Sequence, residues 1–193
     1  FTAKAQAYID KVSLIYPTEL RSGGGGDDDD DYATTARNSY SGSLSYSQII
    51  NQRLQIMFIA DLISQKGLLS LPFYRVCFND NSVQKENLPD TRMKIPLGFR
   101  ANYFIGDKVI LRTFYRYYHD DWGLTAHTVE VETPVKVTPF FSITPFYRYY
   151  KQTAVDYFAP YKTHISSNQY YTSNFDLSAF NSNFYGAGIR LSD

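Results

Sequence analysis

Met93-Lys94-Ile95-Pro96-Leu97-Gly98-Phe99-Arg100-Ala101-Asn102-Tyr103-Phe104-Ile105 sorts its residues into two sets. Met93, Ile95, Leu97, Phe99, Ala101, Tyr103 and Ile105 are apolar. Between them stand Lys94, Pro96, Gly98, Arg100, Asn102 and Phe104, a largely small, polar or basic series. Alternation with period two is the mark of a β-strand with two unlike faces. A run of about thirteen residues exceeds the usual strand of about five or six. It is long enough to cross a bilayer, for which a tilted strand needs about 9–11.

The same alternation recurs on both sides of this run. Leu54, Ile56, Phe58, Ala60 and Leu62 oppose Gln55, Asp61 and Gln65, and Val109, Leu111, Thr113, Tyr115 and Tyr117 oppose Arg112 and Arg116. Val129, Val131, Val135 and Val137 oppose Thr128, Glu130, Glu132 and Lys136. Phe141, Ile143, Tyr147 and Tyr149 oppose Ser142, Thr144 and Arg148, and Tyr185, Ala187, Ile189 and Leu191 oppose Gly186, Gly188 and Arg190. A serine series from Ser39 to Ser47 and a less regular segment over 2–16 complete eight candidate strands. The connections alternate in length. Tight turns fall near 51–52, 106–107 and 138–139, and long loops at about 17–38, 67–90 and 151–182. Short turns at one end and long loops at the other are the habit of outer-membrane β-barrels. The reading is an all-β, antiparallel, up-and-down transmembrane β-barrel: a single domain over 1–193, and a part of a larger barrel.

Composition agrees. The 19 basic and 19 acidic residues cancel, so charge alone excludes a polybasic nucleic-acid module. One cysteine excludes a disulfide framework. No run approaches the roughly 18 uncharged apolar residues of a spanning helix. The mean hydropathy of −0.35 still permits membrane residence, because only one face of each strand meets lipid. A closed sheet is then required, since hydrocarbon offers no partner for a free N–H or C=O. The start, Phe1-Thr2-Ala3-Lys4, shows no signal peptide, so the chain is expected to be processed or internal to a longer one.

Phe114-Tyr115-Arg116-Tyr117-Tyr118 recurs as Phe146-Tyr147-Arg148-Tyr149-Tyr150, 32 residues later. That spacing is one up-and-down strand pair, so both copies should end strands running the same way. Tyr115, Tyr117, Tyr147 and Tyr149 should form an aromatic girdle at one membrane level. The opposite face supplies a lumen charge network: Lys94, Arg100, Arg112, Arg116 and Arg148 with Glu130 and Glu132. Glu130, between the strands of Arg112 and Arg148, should face at least one of them. Such a network either rigidifies the barrel or forms a charged constriction. A plugged scaffold should bury Glu130 with an arginine, and a conducting pore should leave it solvated.

Two further segments are unusual. Four glycines, Gly23–Gly26, precede Asp27, Asp28, Asp29, Asp30 and Asp31. These five carboxylates are weak Ca²⁺ candidates, without the ligand spacing of an EF-hand; no other cofactor or metal is expected. His119, Asp120 and Asp121 are candidates for a rim hydrolase, with the histidine as base. Neighbours on a strand point to opposite faces, however, and the aspartates suit a turn. No Gly-x-Ser-x-Gly elbow is present. The aromatic loop at 151–182 either packs on neighbouring loops, plugs the mouth, or binds glycan or protein.

Several motifs carry a family resemblance. They are Asn51-Gln52-Arg53-Leu54-Gln55, Gly67-Leu68-Leu69-Ser70-Leu71-Pro72-Phe73, Gly98-Phe99-Arg100-Ala101-Asn102-Tyr103, Tyr115 through Gly123, and Thr125-Ala126-His127-Thr128. Together they resemble an outer-membrane β-barrel family of unknown function from Bacteroidota-type bacteria, over most of the chain. The resemblance implies longer proteins with a signal peptide and further strands, and carries no catalytic residues. Barrel proteins usually end in an aromatic residue, whereas this chain ends Leu191-Ser192-Asp193, which suits a fragment.

The functional expectation is a non-enzymatic outer-membrane protein of a gram-negative bacterium, with a pore, transport or assembly-partner role. Its partners would be the lipid bilayer and lipopolysaccharide, with a protein at the outer loops and no nucleic acid. The alternatives are a plugged structural barrel docking a partner through its outer loops, and a soluble lipocalin-like ligand-binding barrel. In the soluble barrel Leu97, Phe99, Val129 and Val131 would point inward.

Overall fold

The computed structural model describes residues 1–12, 35–71 and 74–191. Eight long strands form the main sheet: β1 (Thr2–Val12), β2 (Thr35–Asn51), β3 (Leu54–Gly67), β6 (Thr91–Ile105), β7 (Val109–Asp120), β8 (Thr125–Glu132), β10 (Phe141–Gln152) and β11 (Phe180–Leu191). The two-residue β9 (Val135–Lys136) pairs with β7 and β10 and makes the sheet nine-stranded. β4 (Arg75–Cys77) and β5 (Val83–Lys85) form a separate hairpin. Each long strand pairs antiparallel with the next one in the chain, so the sheet is an up-and-down meander. The fold is all-β and antiparallel. Among the described residues the outer edges of β1 and β11 carry no partner strand, so the sheet ends at two edges instead of closing.

Several expected boundaries move. β2 begins at Thr35, inside the loop expected over 17–38; residues 13–34, with the five aspartates, lie outside the described residues. The loop expected over 67–90 contains the β4–β5 hairpin. Hydrogen bonds to Asp80 from the Ser82 hydroxyl (2.6 Å) and backbone N–H (2.9 Å) shape its turn and hold that carboxyl below its usual range. The last long loop spans 153–179, because strand pairing extends β10 to Gln152 and β11 back to Phe180. The strand expected over Val129–Val137 is broken at Thr133-Pro134, where proline has no N–H to give the ladder. The turns lie at 52–53, 106–108 and 137–140. Asn51 Oδ1 caps the first by accepting from Arg53 N and Leu54 N. Gly106, at φ +63°, permits the second.

The register gives the sheet two faces. Ala60, Leu97, Tyr117, His127 and Lys151 stand in one row, and Phe58, Phe99, Tyr115, Val129 and Tyr149 in another. This apolar face is open: Leu97 is 45 % exposed and Val129 38 %. Every Asp, Glu and Arg of the eight long strands falls on the other face. The main buried cluster, Leu88, Trp122, Leu124, Ala126 and Val155, packs with Tyr118 and Tyr150. Ala126, Tyr118 and Tyr150 belong to the charged face, so this core covers only its loop end.

Gly67 closes β3 at φ +117° and donates from its N–H to Asp90 O. A Cβ there would stand 1.8 Å from Ala36 O, a backbone atom that cannot turn aside. Gly67→Ala is expected to cost at least about 1–3 kcal/mol for backbone strain alone. Denaturant unfolding of the variant checks this; an unchanged midpoint would refute it.

Candidate functional site

The charged face carries two separate groups of side chains. The first lies in mid-sheet. Strand pairing sets Arg112 opposite Glu132 and Glu130 opposite Arg148. Arg112 Nη1 donates to Glu132 Oε1 at 3.0 Å, and Arg148 Nε donates to Glu130 Oε1 at 2.7 Å. The expected contact between Glu130 and a flanking arginine is therefore present. The side chains of Arg148 and Glu130 are 48 % and 25 % exposed, those of Arg112 and Glu132 47 % and 36 %. Pairs this open contribute about 0.2–1 kcal/mol each. Arg100 lies 5.3 Å from the Phe114 ring centroid, and neither it nor Arg116 has a carboxylate partner among the described residues. Arg100, Asn102, Arg112, Phe114, Glu130 and Glu132 border a recess of about 260 Å³. Four arginines thus stand against two glutamates, a net positive patch that attracts anions.

The second group lies at the loop end, and its strength was not legible from the sequence. Asp120 is 1 % exposed and accepts five hydrogen bonds. Arg92 gives it two, from Nε at 3.0 Å and Nη2 at 2.5 Å, and the Tyr118 hydroxyl a third at 2.8 Å. The backbone N–H groups of Trp122 and Leu124 supply the others at 3.0 and 3.1 Å. Arg92 also lies over the Trp122 ring, 4.3 Å from its centroid, while Trp122 Nε1 donates to Thr91 O. A buried carboxylate is tolerable only with such complete pairing. Lys94, expected in the mid-sheet network, instead stands opposite Asp120 in the register and belongs to this end.

His119, Asp120 and Asp121 do not converge. Asp120 belongs to this loop-end group, a cap over the charged face, and His119 to the apolar face, where its Nδ1 is 3.3 Å from Thr125 Oγ1. Asp121 Oδ1 accepts from Met93 N. Each of the three holds a different structural contact. Among the described residues no group of three or more His, Cys, Asp or Glu side chains is arranged to hold a metal ion. Asp27, Asp28, Asp29, Asp30 and Asp31 lie outside the described residues.

The aromatic repeat occupies β7 and β10, two strands running toward the loops. The four tyrosines expected at one level are staggered. Tyr115 and Tyr149 share a row with Val129, whereas Tyr117 lies opposite His127 and Tyr147 opposite Val131. Adjacent rows on this face are two residues apart, about 7 Å. The repeat has an inward use as well: the Tyr118 hydroxyl donates to Asp120, and that of Tyr150 to Gln152 Oε1 at 2.5 Å. Gln152 Nε2 then donates to Asp176 O and Ser178 O, tying the loop at 153–179 to the sheet.

That loop packs against its neighbours. Asn87 and Tyr171 exchange backbone hydrogen bonds, and the Thr172 hydroxyl donates to the buried Glu86. His164 is 3 % exposed, with its Nε2 2.9 Å from Thr172 O. Tyr157 packs against the cluster around Trp122, and burial there raises its hydroxyl pKa.

Removing Asp120 would leave Arg92 uncompensated within the cap, a change that typically costs about 3–5 kcal/mol. Asp120→Ala is therefore expected to loosen the cap and red-shift the emission of Trp122, the chain's single tryptophan. Glu130→Gln should cost less than about 1 kcal/mol and leave that emission unchanged. Equal effects from the two variants would refute the division of the charged face.

Comparison with known proteins adds a family whose function is unknown. No curated protein and no solved structure matches the chain. Residues 21–192 match a family described as a protein of unknown function, DUF3570, which spans the main sheet from β2 to β11 and both groups of charges. The chain belongs to that family, DUF3570.

Proposed function

We propose that the chain is the membrane-spanning part of an outer-membrane β-barrel in a Bacteroidota-type gram-negative bacterium, with a pore or transport role that favours anions. One observation carries this reading: a broad apolar face stands open, with Leu97 and Val129 exposed on it, while every arginine, aspartate and glutamate of the long strands lies on the other face. A soluble ligand-binding barrel needs the reverse, with Leu97, Phe99, Val129 and Val131 turned inward. Lipid would cover the apolar face, and additional pairing at β1 and β11 would close the sheet. The charged face would then line the lumen, with the mid-sheet arginines at a constriction and the loop-built core narrowing its outer end. The open Glu130–Arg148 pair favours a solvated path. The cap around Asp120 favours the second reading, a plugged barrel that docks a partner through its loops.

Membrane fractionation of the full-length protein, followed by electrophoresis of boiled and unboiled samples, tests the architecture. Recovery in the outer membrane with a heat-dependent mobility shift is expected; a soluble species without a shift would overturn it. Planar-bilayer recording tests the role. Conductance with a reversal potential favouring anions is expected, and Arg116→Glu should move it toward cations. A silent protein that still shows the mobility shift would instead support the plugged scaffold.

A further inference from the structure

Four of the long strands, β1, β3, β7 and β10, run toward the loop end of the sheet. Their penultimate residues are Lys11, Lys66, His119 and Lys151. Each lies on the apolar face, one position before a final residue that lies on the charged face. β8 adds His127, directly opposite Lys151. All five are exposed. The three lysines are the only formally charged residues of the eight long strands on this face, and all sit at its loop end. The turn end of the same face, at Tyr103, Ile105, Val109 and Phe141, is uncharged.

Lysines on an apolar face need water or an anion for their ammonium groups. None of the three has an ion-pair partner among the described residues. The Tyr115 hydroxyl lies 2.7 Å from His127 Nδ1 and fixes the ring beside Lys151; His127 Nε2 has no hydrogen-bond partner among the described residues. Below this rim the apolar face offers hydrocarbon-compatible surface. Cationic and hydrogen-bonding groups above, apolar surface beneath and no carboxylate from the eight long strands on this face together complement an anionic amphiphile.

We propose that this rim grips the phosphate groups of lipids in the leaflet at the loop end, with Lys151 and His127 as one subsite and Lys66 as another. The inference rests on the membrane reading above.

The full-length protein, reconstituted in nanodiscs of phosphatidylcholine with a minor share of phosphatidic acid, tests it. After mild detergent extraction the lipid retained on the protein is quantified. Enrichment of phosphatidic acid is expected. Lys151→Gln and Lys66→Gln should each reduce that enrichment by about fivefold, the usual effect of one cation near an anionic surface. Lys151→Arg should retain it, and Lys4→Gln, on the opposite face of β1, should change nothing. Inorganic phosphate should not displace the lipid. A protein that enters nanodiscs and keeps its mobility shift but shows no enrichment, enrichment indifferent to both lysines, or displacement by free phosphate would overturn the rim alone. Failure to enter nanodiscs would overturn the membrane reading together with it.

Discussion

The arrangement of this protein hangs on the register between neighbouring strands. Side chains alternate with period two, so a slip of one residue in a strand would exchange its faces. Arg112 would leave Glu132, and Asp120 would leave Arg92 for the apolar side. Each pair fixes the next through a shared strand: β8 meets Arg112 on one side and Arg148 on the other. The meander passes this constraint from β1 to β11 through antiparallel neighbours alone.

Two kinds of electrostatics follow from one alternating pattern. In mid-sheet the arginine–glutamate pairs stay half open to solvent, so they hold little energy and remain available to solutes. At the loop end the same face is covered by Trp122, Leu124 and Val155, and Asp120 must satisfy its charge within the protein. The difference is burial, and burial is supplied by segments far away in the chain. Glu86 and Thr172 meet across that gap, as do Asn87 and Tyr171.

The repeated Phe-Tyr-Arg-Tyr-Tyr motif shows how one pentapeptide serves both faces. Its second and fourth residues belong to the apolar face, and its first, third and fifth to the charged one. The last tyrosine donates to the side chain two positions on in both copies, to Asp120 in one and Gln152 in the other. In the first copy the bond joins a carboxylate already held by Arg92; in the second it orients an amide that anchors the following loop.

The sequence by itself determined the eight long strands, the two faces of each, the sorting of short turns from long loops and the pairing of Glu130 with an arginine. These are local or nearest-neighbour properties: alternation sets the face, turn length sets the partner, and the register follows. It did not determine where Lys94 would stand, the stagger of the girdle, or that Asp120 would become a buried five-bonded centre. His119-Asp120-Asp121 reads as three adjacent polar residues, and their divergence to separate contacts depends on Arg92 and Thr125 arriving from other strands. The break at Thr133-Pro134 was visible as a proline, yet the retention of β9 depended on β7 and β10 flanking it. Tertiary structure decided these points because burial is a property of what covers a residue, and the covering loops lie tens of residues away.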